Sequence, residues 1–280
     1  MIRTIKYEEK MSLDEIFPRS QFSYEDINEK VKNIIEDVKE NGDEALFKYN
    51  EMFDNVIMTE LTVSSEEIEE AYNRMDGKFK ETLKIAHDNI KKFHEKQVRN
   101  NFFFFLNDGV ILGQMINPIE KVGVYVPGGT ASYPSTVLMN VIPAKIAGVN
   151  EIILVTPPNK NGKIDDVILA SAKIAGVDKI FKVGGAQSVA ALSYGTETIP
   201  KVYKIVGPGN IYVAMAKKMV YGEVAIDMVA GPSEILIIAD ESANAANVAA
   251  DLLSQAEHDK LASSVLVTTS GKLAENVKAE

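Results

Sequence analysis

The feature that most constrains this chain is the alternation of short apolar runs with helix-forming segments from Lys121 onward. Runs of strand length that are rich in Val and Ile indicate strands covered on both faces. The predicted strands are Val122–Val126, Ile152–Thr156, Ile180–Val183, Val202–Val206, Ile235–Ala239 and Val265–Thr268, and the predicted helices are Ser135–Ala147, Asp165–Ala175, Gln187–Tyr194, Asn210–Val220 and Ala243–Asp259. Because parallel strands are joined by right-handed crossovers, this order predicts an α/β fold with largely parallel sheets and helices on both faces.

A short internal echo supports this prediction. The sequence AKIAGV at Ala144–Val149 recurs at Ala172–Val177, and a predicted strand follows each copy. We expect Gly148 and Gly176 to end their helices in the left-handed conformation, which glycine adopts without steric cost. The echo therefore indicates two βα units with the same turn chemistry.

The first hundred residues are mostly helical by pattern. Tyr24–Tyr49 carries apolar residues at helical spacing, with Gly42 as a break. Ser64 and Glu67 have the spacing of a capping box at the start of a second helix. A third helix, Lys78–Gln97, mixes apolar residues with many lysines and is expected to lie on a core with one face in solvent.

His87 and His94 lie on nearly the same face of that third helix, seven positions apart. A metal pair is conceivable there, but the intervening turn offers no third ligand. Histidines that are simply exposed or packed are the more common case.

A β-hairpin is predicted after these helices. Phe102–Leu106 and Val110–Ile116 are apolar, and Asn107-Asp108-Gly109 between them supplies the positive φ of a tight turn. Four consecutive phenylalanines suggest a strand buried on both faces, or one covered by a partner subunit.

The composition excludes several classes of function. The 280 residues carry 40 acidic and 30 basic side chains, a net charge of -10 that disfavours nucleic acid and anionic membranes as partners. We expect a small-molecule ligand instead.

No run reaches the length of about 18 apolar residues that a membrane span needs, and the first residues lack the apolar core of a signal peptide, so a cytoplasmic protein is predicted. The absence of cysteine excludes thiolate metal ligands and a cysteine nucleophile.

Three predicted strands end in glycine-rich loops that lead into helices: Pro127-Gly128-Gly129, Gly184-Gly185-Ala186-Gln187 and Gly207-Pro208-Gly209-Asn210. In a parallel sheet these loops lie at the carboxyl edge, where backbone N–H groups beside helix N-termini favour phosphate. Tight βα turns need glycine in any case, so each loop alone is weak evidence. Together they indicate an anionic or nucleotide ligand, although neither G-x-G-x-x-G nor a P-loop lysine is present.

Near the end of the chain, Gln255 and His258 lie three positions apart on the predicted helix Ala243–Asp259. This spacing places an amide oxygen and an imidazole on one face, where they could share a cation. Such a pair is more often a surface hydrogen-bonding couple, and the spacing alone does not decide between the two.

Several long motifs resemble the histidinol dehydrogenases: VGVYVPGGTASYPSTVLMNVIPAKIAGV, VGGAQSVAALSYGTETIP, KIVGPGNIYVAMAK, AIDMVAGPSEILIIAD and DLLSQAEHD. The resemblance implies that Tyr125, Gln187 and Asn210 contact NAD. It also implies that Gln255 and His258 bind zinc and substrate, and that Ser233 contacts substrate. Read from the residues alone, Tyr125 would be a packed strand residue, Gln187 a polar residue at a helix N-terminus and Asn210 an N-cap.

The resemblance further implies the reaction and the architecture. The family oxidises L-histidinol to L-histidine through histidinaldehyde in two NAD-dependent steps. The fold is expected to comprise two Rossmann-like lobes: residues 1–120 as a helical region and hairpin of the first lobe, 121–232 as an inserted NAD-binding lobe, and 233–280 as the return to the first lobe. The family forms homodimers.

Family chains continue beyond the point that Glu280 occupies, and that portion holds the catalytic Glu-His pair and two further zinc ligands. The chain is therefore expected to be C-terminally truncated, with no catalytic residue of its own and no turnover alone. The alternative is a non-catalytic nucleotide-binding module on the same scaffold. An aldehyde-dehydrogenase-like enzyme is disfavoured because the chain has no cysteine.

Overall fold

The computed structural model describes residues 2–7, 11–12, 24–128, 132–229, 233–257 and 262–280. In chain order the helices are α1 (Tyr24–Tyr49), α2 (Ser65–Arg74), α3 (Gly77–His94), α4 (Pro134–Ile146), α5 (Asp166–Ala175), α6 (Gly185–Tyr194), α7 (Ile211–Val220), α8 (Ala245–Ala256) and α9 (Gly271–Ala279). The strands are β1 (Phe102–Phe105), β2 (Ile111–Gln114), β3 (Lys121–Tyr125), β4 (Glu151–Thr156), β5 (Lys179–Lys182), β6 (Lys204–Val206), β7 (Ala225–Ile226), β8 (Ile235–Ala239) and β9 (Ser264–Thr268). The chain divides into two compact units, residues 25–229 and residues 1–24 with 230–280.

Residues 25–229 are built on a parallel sheet in the order β5-β4-β3-β6-β7. The chain starts at β3 in the middle, moves outward to β4 and β5, and then returns to the other side of β3 to form β6 and β7. This reversal creates a topological switch point between β3 and β6, and ligands of open α/β sheets bind at the carboxyl ends of such strands. The predicted α/β fold is confirmed, with β7 as a short additional edge strand.

Successive residues of the central strands supply two separate cores. Val122, Val124 and Leu154 face a cluster that includes α4, α5 and apolar residues of α2 and α3. Ile153 and Val155 face a second cluster that includes α1, α6 and α7. Both clusters consist mainly of buried aliphatic side chains, and a large one contributes about 1.5–3 kcal/mol when fully removed from water. This double coverage explains why the strands read as uninterrupted apolar runs.

Local turn chemistry follows the sequence closely. Gly148 and Gly176 have φ of 81° and 84°. In both turns the next residue donates to a carbonyl five positions back, Val149 N to Ala144 O at 3.1 Å and Val177 N to Ala172 O at 2.9 Å, the pattern of a Schellman motif. The predicted capping box and the break at Gly42, with φ 50°, are also present.

The predicted hairpin forms from β1 and β2, with Phe102 opposite Gln114 and Phe105 opposite Ile111. The expectation that its phenylalanines are buried on both faces is wrong for this chain, since all four are at least 46% exposed. A strand that belongs to a two-stranded ribbon has no second layer of its own to cover it.

Residues 230–280 contain the parallel pair β8 and β9, with Ile235 opposite Ser264, joined by α8 and followed by α9. Ile237 and Leu266 pack with Val248 and Leu273 in a small core. The other face of β8 is exposed, with Ile238 78% accessible, so the predicted coverage of both faces is wrong for this chain. The N-cap of α8 is Asn244, whose side chain accepts a hydrogen bond from Asn247 N at 3.2 Å.

The grouping of the N-terminal helices differs from the division expected from the sequence. That division places residues 25–120 in the lobe of residues 233–280, whereas they belong to the same compact unit as the five-stranded sheet. Lys182 N of β5 donates to Leu61 O at 2.7 Å, and α2 and α3 contribute Ala71 and Leu83 to the core beneath α4 and α5. No helix among the described residues is both long and apolar enough to cross a membrane.

Candidate functional site

A cavity of about 1140 Å³ opens at the carboxyl edge of the five-stranded sheet. Its wall combines residues that follow β3, β4 and β5 with the start of α7 and the end of α1. The predicted site residues Tyr125, Gln187 and Asn210 all line it. Three side chains that lie far apart in the sequence therefore meet at the switch point of the sheet. The volume suits a ligand of cofactor size.

Tyr125 is the last residue of β3 and is 3% exposed. Its hydroxyl oxygen accepts a hydrogen bond from Gly185 N at 3.3 Å. Burial raises the pKa of Tyr125 to about 12, and the nearby negative charge of Asp54 acts in the same direction. The phenol therefore stays protonated at neutral pH, and its O–H group can donate a hydrogen bond to a ligand.

Gln187 lies in the first turn of α6 and is 1% exposed. Its Oε1 is buried and accepts no hydrogen bond from any residue that the structure describes. Gly185 has φ 63°, and a Cβ atom built on it would lie 2.4 Å from this same oxygen. The glycine thus leaves room for the amide, whose acceptor stays available to a ligand.

Asn210 is the N-cap of α7. Its Oδ1 accepts from Tyr212 N at 3.0 Å and from Val213 N at 3.1 Å. Asn210 is therefore the helix N-cap that the residue alone predicts. Capping does not prevent its side chain from also contacting a ligand. With Oδ1 committed to the helix, the NH₂ group of the carboxamide is the part of Asn210 that can reach a ligand.

Sequence reasoning missed the part of the cavity wall that follows α1. A π-helical turn, Asn50–Asp54, continues this helix and brings Tyr49, Phe53 and Asp54 to the cavity. The Tyr49 and Phe53 rings stack with centroids 5.4 Å apart. No sequence motif marks a π-helical turn, although such turns are frequent at functional sites.

Buried Asn50 anchors this turn by donating from Nδ2 to Lys182 O at 2.8 Å. Tyr49 is held in turn by a hydrogen bond from its hydroxyl to Asp37, at 2.7 Å. Hydrogen bonds from Lys48 and then Tyr49 lower the pKa of Asp37 to about 2, so this acceptor is ionised at neutral pH. The Tyr49 ring is therefore held by this hydrogen bond, and Phe53 stacks on it.

Asp54 is the unusual group of the wall. Its Oδ2 is buried and has no hydrogen-bond partner among the described residues. Burial raises the pKa of Asp54 to about 6, because the charged form loses its contact with water. An ionised, buried carboxylate lowers the stability of the folded protein unless a hydrogen-bond donor contacts it.

The loop that leads to Asn210 is fixed from below by an ion pair whose lysine is buried and whose aspartate is partly exposed. Lys217, 2% exposed, donates to Gly207 O at 2.8 Å and pairs with Asp227. Asp227 also accepts from Gly207 N at 2.8 Å. Both polar groups of Gly207 are thereby satisfied, and the loop is held against the end of β6.

The residues predicted to bind metal and substrate belong to residues 230–280. Ser233 is exposed before β8, and Gln255 is half-buried in the last turn of α8. His258 lies outside the described residues. Within the described ranges no three His, Cys, Asp or Glu side chains are grouped to hold a metal ion.

The two helical histidines of α3 have other partners. His87 Nδ1 lies 2.9 Å from Asp88 Oδ1, and His94 Nδ1 lies 2.6 Å from Gln97 Oε1. Both contacts are local and exposed.

Comparison with known proteins gives consistent results. The family model described as histidinol dehydrogenase matches residues 17–280. A histidinol dehydrogenase of Clostridium acetobutylicum is 56% identical over 259 residues, which cover 91% of this chain and 60% of that protein. One of Listeria innocua is 58% identical over 261 residues, covering 93% of this chain and 61% of that protein. The chain thus spans about three fifths of the length of these relatives.

A comparison with solved structures finds the same family. The crystal structure of histidinol dehydrogenase from Elizabethkingia anophelis matches with a TM-score of 0.82 and 41% identity, covering 97% of this chain and 60% of that one.

Proposed function

The chain belongs to the histidinol dehydrogenase family, and we propose that it forms the cofactor-binding part of an enzyme that oxidises L-histidinol to L-histidine. The proposed reaction passes through histidinaldehyde and uses NAD and zinc. The observation that carries the proposal is the convergence of Tyr125, Gln187 and Asn210 on one cavity at the switch point.

The residues of this cavity fit NAD. The Tyr125 hydroxyl and the Asn210 NH₂ group offer donors, while the buried Oε1 of Gln187 requires one from the ligand. When bound, NAD would accept hydride from the carbon that carries the substrate hydroxyl. This chain's contribution would be to hold and orient the dinucleotide in a pre-formed pocket.

Gln255 and His258 are the proposed zinc ligands, and with Ser233 they would contact the substrate. Without cysteine, the donor set is limited to nitrogen and oxygen, which zinc accepts. The metal would serve to orient the substrate, and Gln255 would present its amide oxygen from the last turn of α8.

We also propose that the enzyme is cytoplasmic and forms a homodimer. The exposed apolar hairpin β1–β2 is a surface that a dimer interface would cover.

Variants of Asn210 test the NAD site. Asn210→Ala removes the cap and is expected to lower stability by about 1 kcal/mol. Asn210→Ser keeps a capping oxygen and should be nearly as stable as the parent, but it lacks the NH₂ donor. Both variants are expected to weaken NAD binding about tenfold in calorimetric titration, the loss expected for one hydrogen bond. Unchanged NAD affinity in Asn210→Ser would remove this residue from the site.

Turnover tests the role of the whole chain. The 280-residue chain alone is expected to form no NADH from L-histidinol, since the resemblance places the family's catalytic Glu-His pair in the part of the relatives that this chain does not cover. Mixing the chain with the C-terminal part of the Listeria innocua relative should restore NADH formation, detected by absorbance. NADH formation by the chain alone would contradict the assignment of roles, and failure of NAD to bind would contradict the proposed function.

A further inference from the structure

Two hydrogen-bond acceptors in the cavity wall are buried without a partner among the described residues, Asp54 Oδ2 and Gln187 Oε1. Leaving a buried acceptor unsatisfied is unfavourable, and each such group in a native structure calls for an explanation. An apolar side chain at either position would avoid this penalty.

We propose that Asp54, acting with Gln187, forms a subsite that accepts hydrogen bonds from the nucleoside part of the dinucleotide and thereby selects which dinucleotide binds. The inference rests on the proposed function and extends it to a residue outside the predicted site. Both groups are acceptors, so the matching part of the ligand must carry N–H or O–H donors. A phosphate, which carries only acceptors and negative charge, would be repelled by the carboxylate.

The surroundings of Asp54 agree with a nucleoside. The stacked rings of Tyr49 and Phe53 precede it along the chain and line the same cavity. Aromatic faces are suitable surfaces for a base. The protonated hydroxyl of Tyr125 is close enough to feel the charge of Asp54. The subsite therefore combines the apolar surface of the Tyr49 and Phe53 rings with two hydrogen-bond acceptors. A ligand that fits it carries a ring and N–H or O–H donors.

Two parts of the adenosine half of the dinucleotide carry such donors, namely the exocyclic amine of adenine and the ribose hydroxyls. Nicotinamide hypoxanthine dinucleotide lacks the amine, and NADP carries a phosphate on the adenosine ribose. Titrating NAD and these two analogues into the 280-residue chain therefore identifies the source. We expect one analogue to bind the parent chain about tenfold more weakly than NAD.

The Asp54→Ala variant is expected to bind NAD about tenfold more weakly than the parent and to lose the discrimination between NAD and that analogue. Glu223→Gln is the control. Glu223 is an acidic residue of the same unit that does not line the cavity, and it already forms an ion pair with Lys201. This variant should keep the discrimination.

Equal NAD affinity in Asp54→Ala and the parent, or equal affinity of the parent for all three dinucleotides, would overturn the inference while leaving the proposed function intact. If NAD does not bind the parent chain, both fail.

The isosteric variant Asp54→Asn gives a readout that needs no cofactor. The folded protein binds the proton of Asp54 more tightly than the unfolded chain because its pKa is raised, so stability is lost as pH rises from about 4 through about 6. Asp54→Asn should therefore melt at a higher temperature than the parent at pH 8, with the difference vanishing near pH 4. The other charged groups on the cavity wall, Lys30, Lys48, Lys160 and Asp165, are common to both proteins, so the difference reports Asp54. Equal melting temperatures at pH 8 would show that the carboxylate is satisfied and would overturn the inference.

Discussion

Replacing Asp227 with alanine is expected to destabilise the chain by about 3–5 kcal/mol, the largest effect we anticipate for a single charged residue in residues 25–229. Lys217 is 2% exposed, and its ammonium group has two partners, Asp227 and the carbonyl of Gly207. Without Asp227 a buried positive charge remains with one neutral partner. The Gly207 N–H also loses its acceptor.

The measurement is chemical denaturation followed by circular dichroism, with the midpoint and slope fitted separately. Glu223→Ala is the matched control, because Glu223 forms an ion pair with Lys201 in the same unit while both side chains are about half exposed. Its midpoint should stay close to that of the parent, since exposed pairs contribute little. Lys217→Met should be milder than Asp227→Ala, because it leaves no buried charge. Equal midpoints for Asp227→Ala and Glu223→Ala would contradict the argument.

Replacing Gly207 with alanine is the second substitution for which we expect a large loss of stability, about 3–5 kcal/mol. Gly207 has φ 113°, and a Cβ atom there would lie 2.1 Å from the carbonyl oxygen of Tyr125. Backbone strain contributes about 1–2 kcal/mol, and the collision with main-chain atoms of β3 costs at least as much again. Because the loop carries Asn210 to the cavity, NAD binding should weaken as well.

Gly222→Ala separates the two contributions. Gly222 has nearly the same φ, 109°, but a Cβ atom would meet nothing within 4 Å. Its substitution should therefore cost only the strain, about 1–2 kcal/mol. Thermal and urea denaturation of the two variants give the comparison. If both variants lose the same stability, close packing of the loop against Tyr125 is not what requires glycine at position 207.

Much of the fold could be predicted because its signals are local. Gly148 and Gly176 end their helices in the left-handed conformation in both copies of the echo, and Ser64 with Glu67 forms the capping box. These features depend on a few neighbouring residues. The strand order was not predictable in the same way, since the pairing of β3 with β6 depends on packing between distant segments.

The site was only partly visible in the sequence. Glycine-rich loops and family resemblance pointed to Tyr125, Gln187 and Asn210, and the structure brings them to one cavity. Asp54 gave no signal, because an acidic residue after an amphipathic helix is ordinarily a solvated one. Its burial arises from the π-helical turn, which Asn50 holds in place through the carbonyl of Lys182, a residue 132 positions away.

The sequence by itself determined which segments become strands and helices, where helices end, and that both faces of the central sheet are covered. Those properties follow from side-chain periodicity and from glycine and capping residues acting on their own neighbourhoods. Only the tertiary structure decided which polar groups are left without partners, since satisfaction of an acceptor depends on every atom that surrounds it. The unsatisfied oxygens of Asp54 and Gln187 are therefore properties of the folded chain.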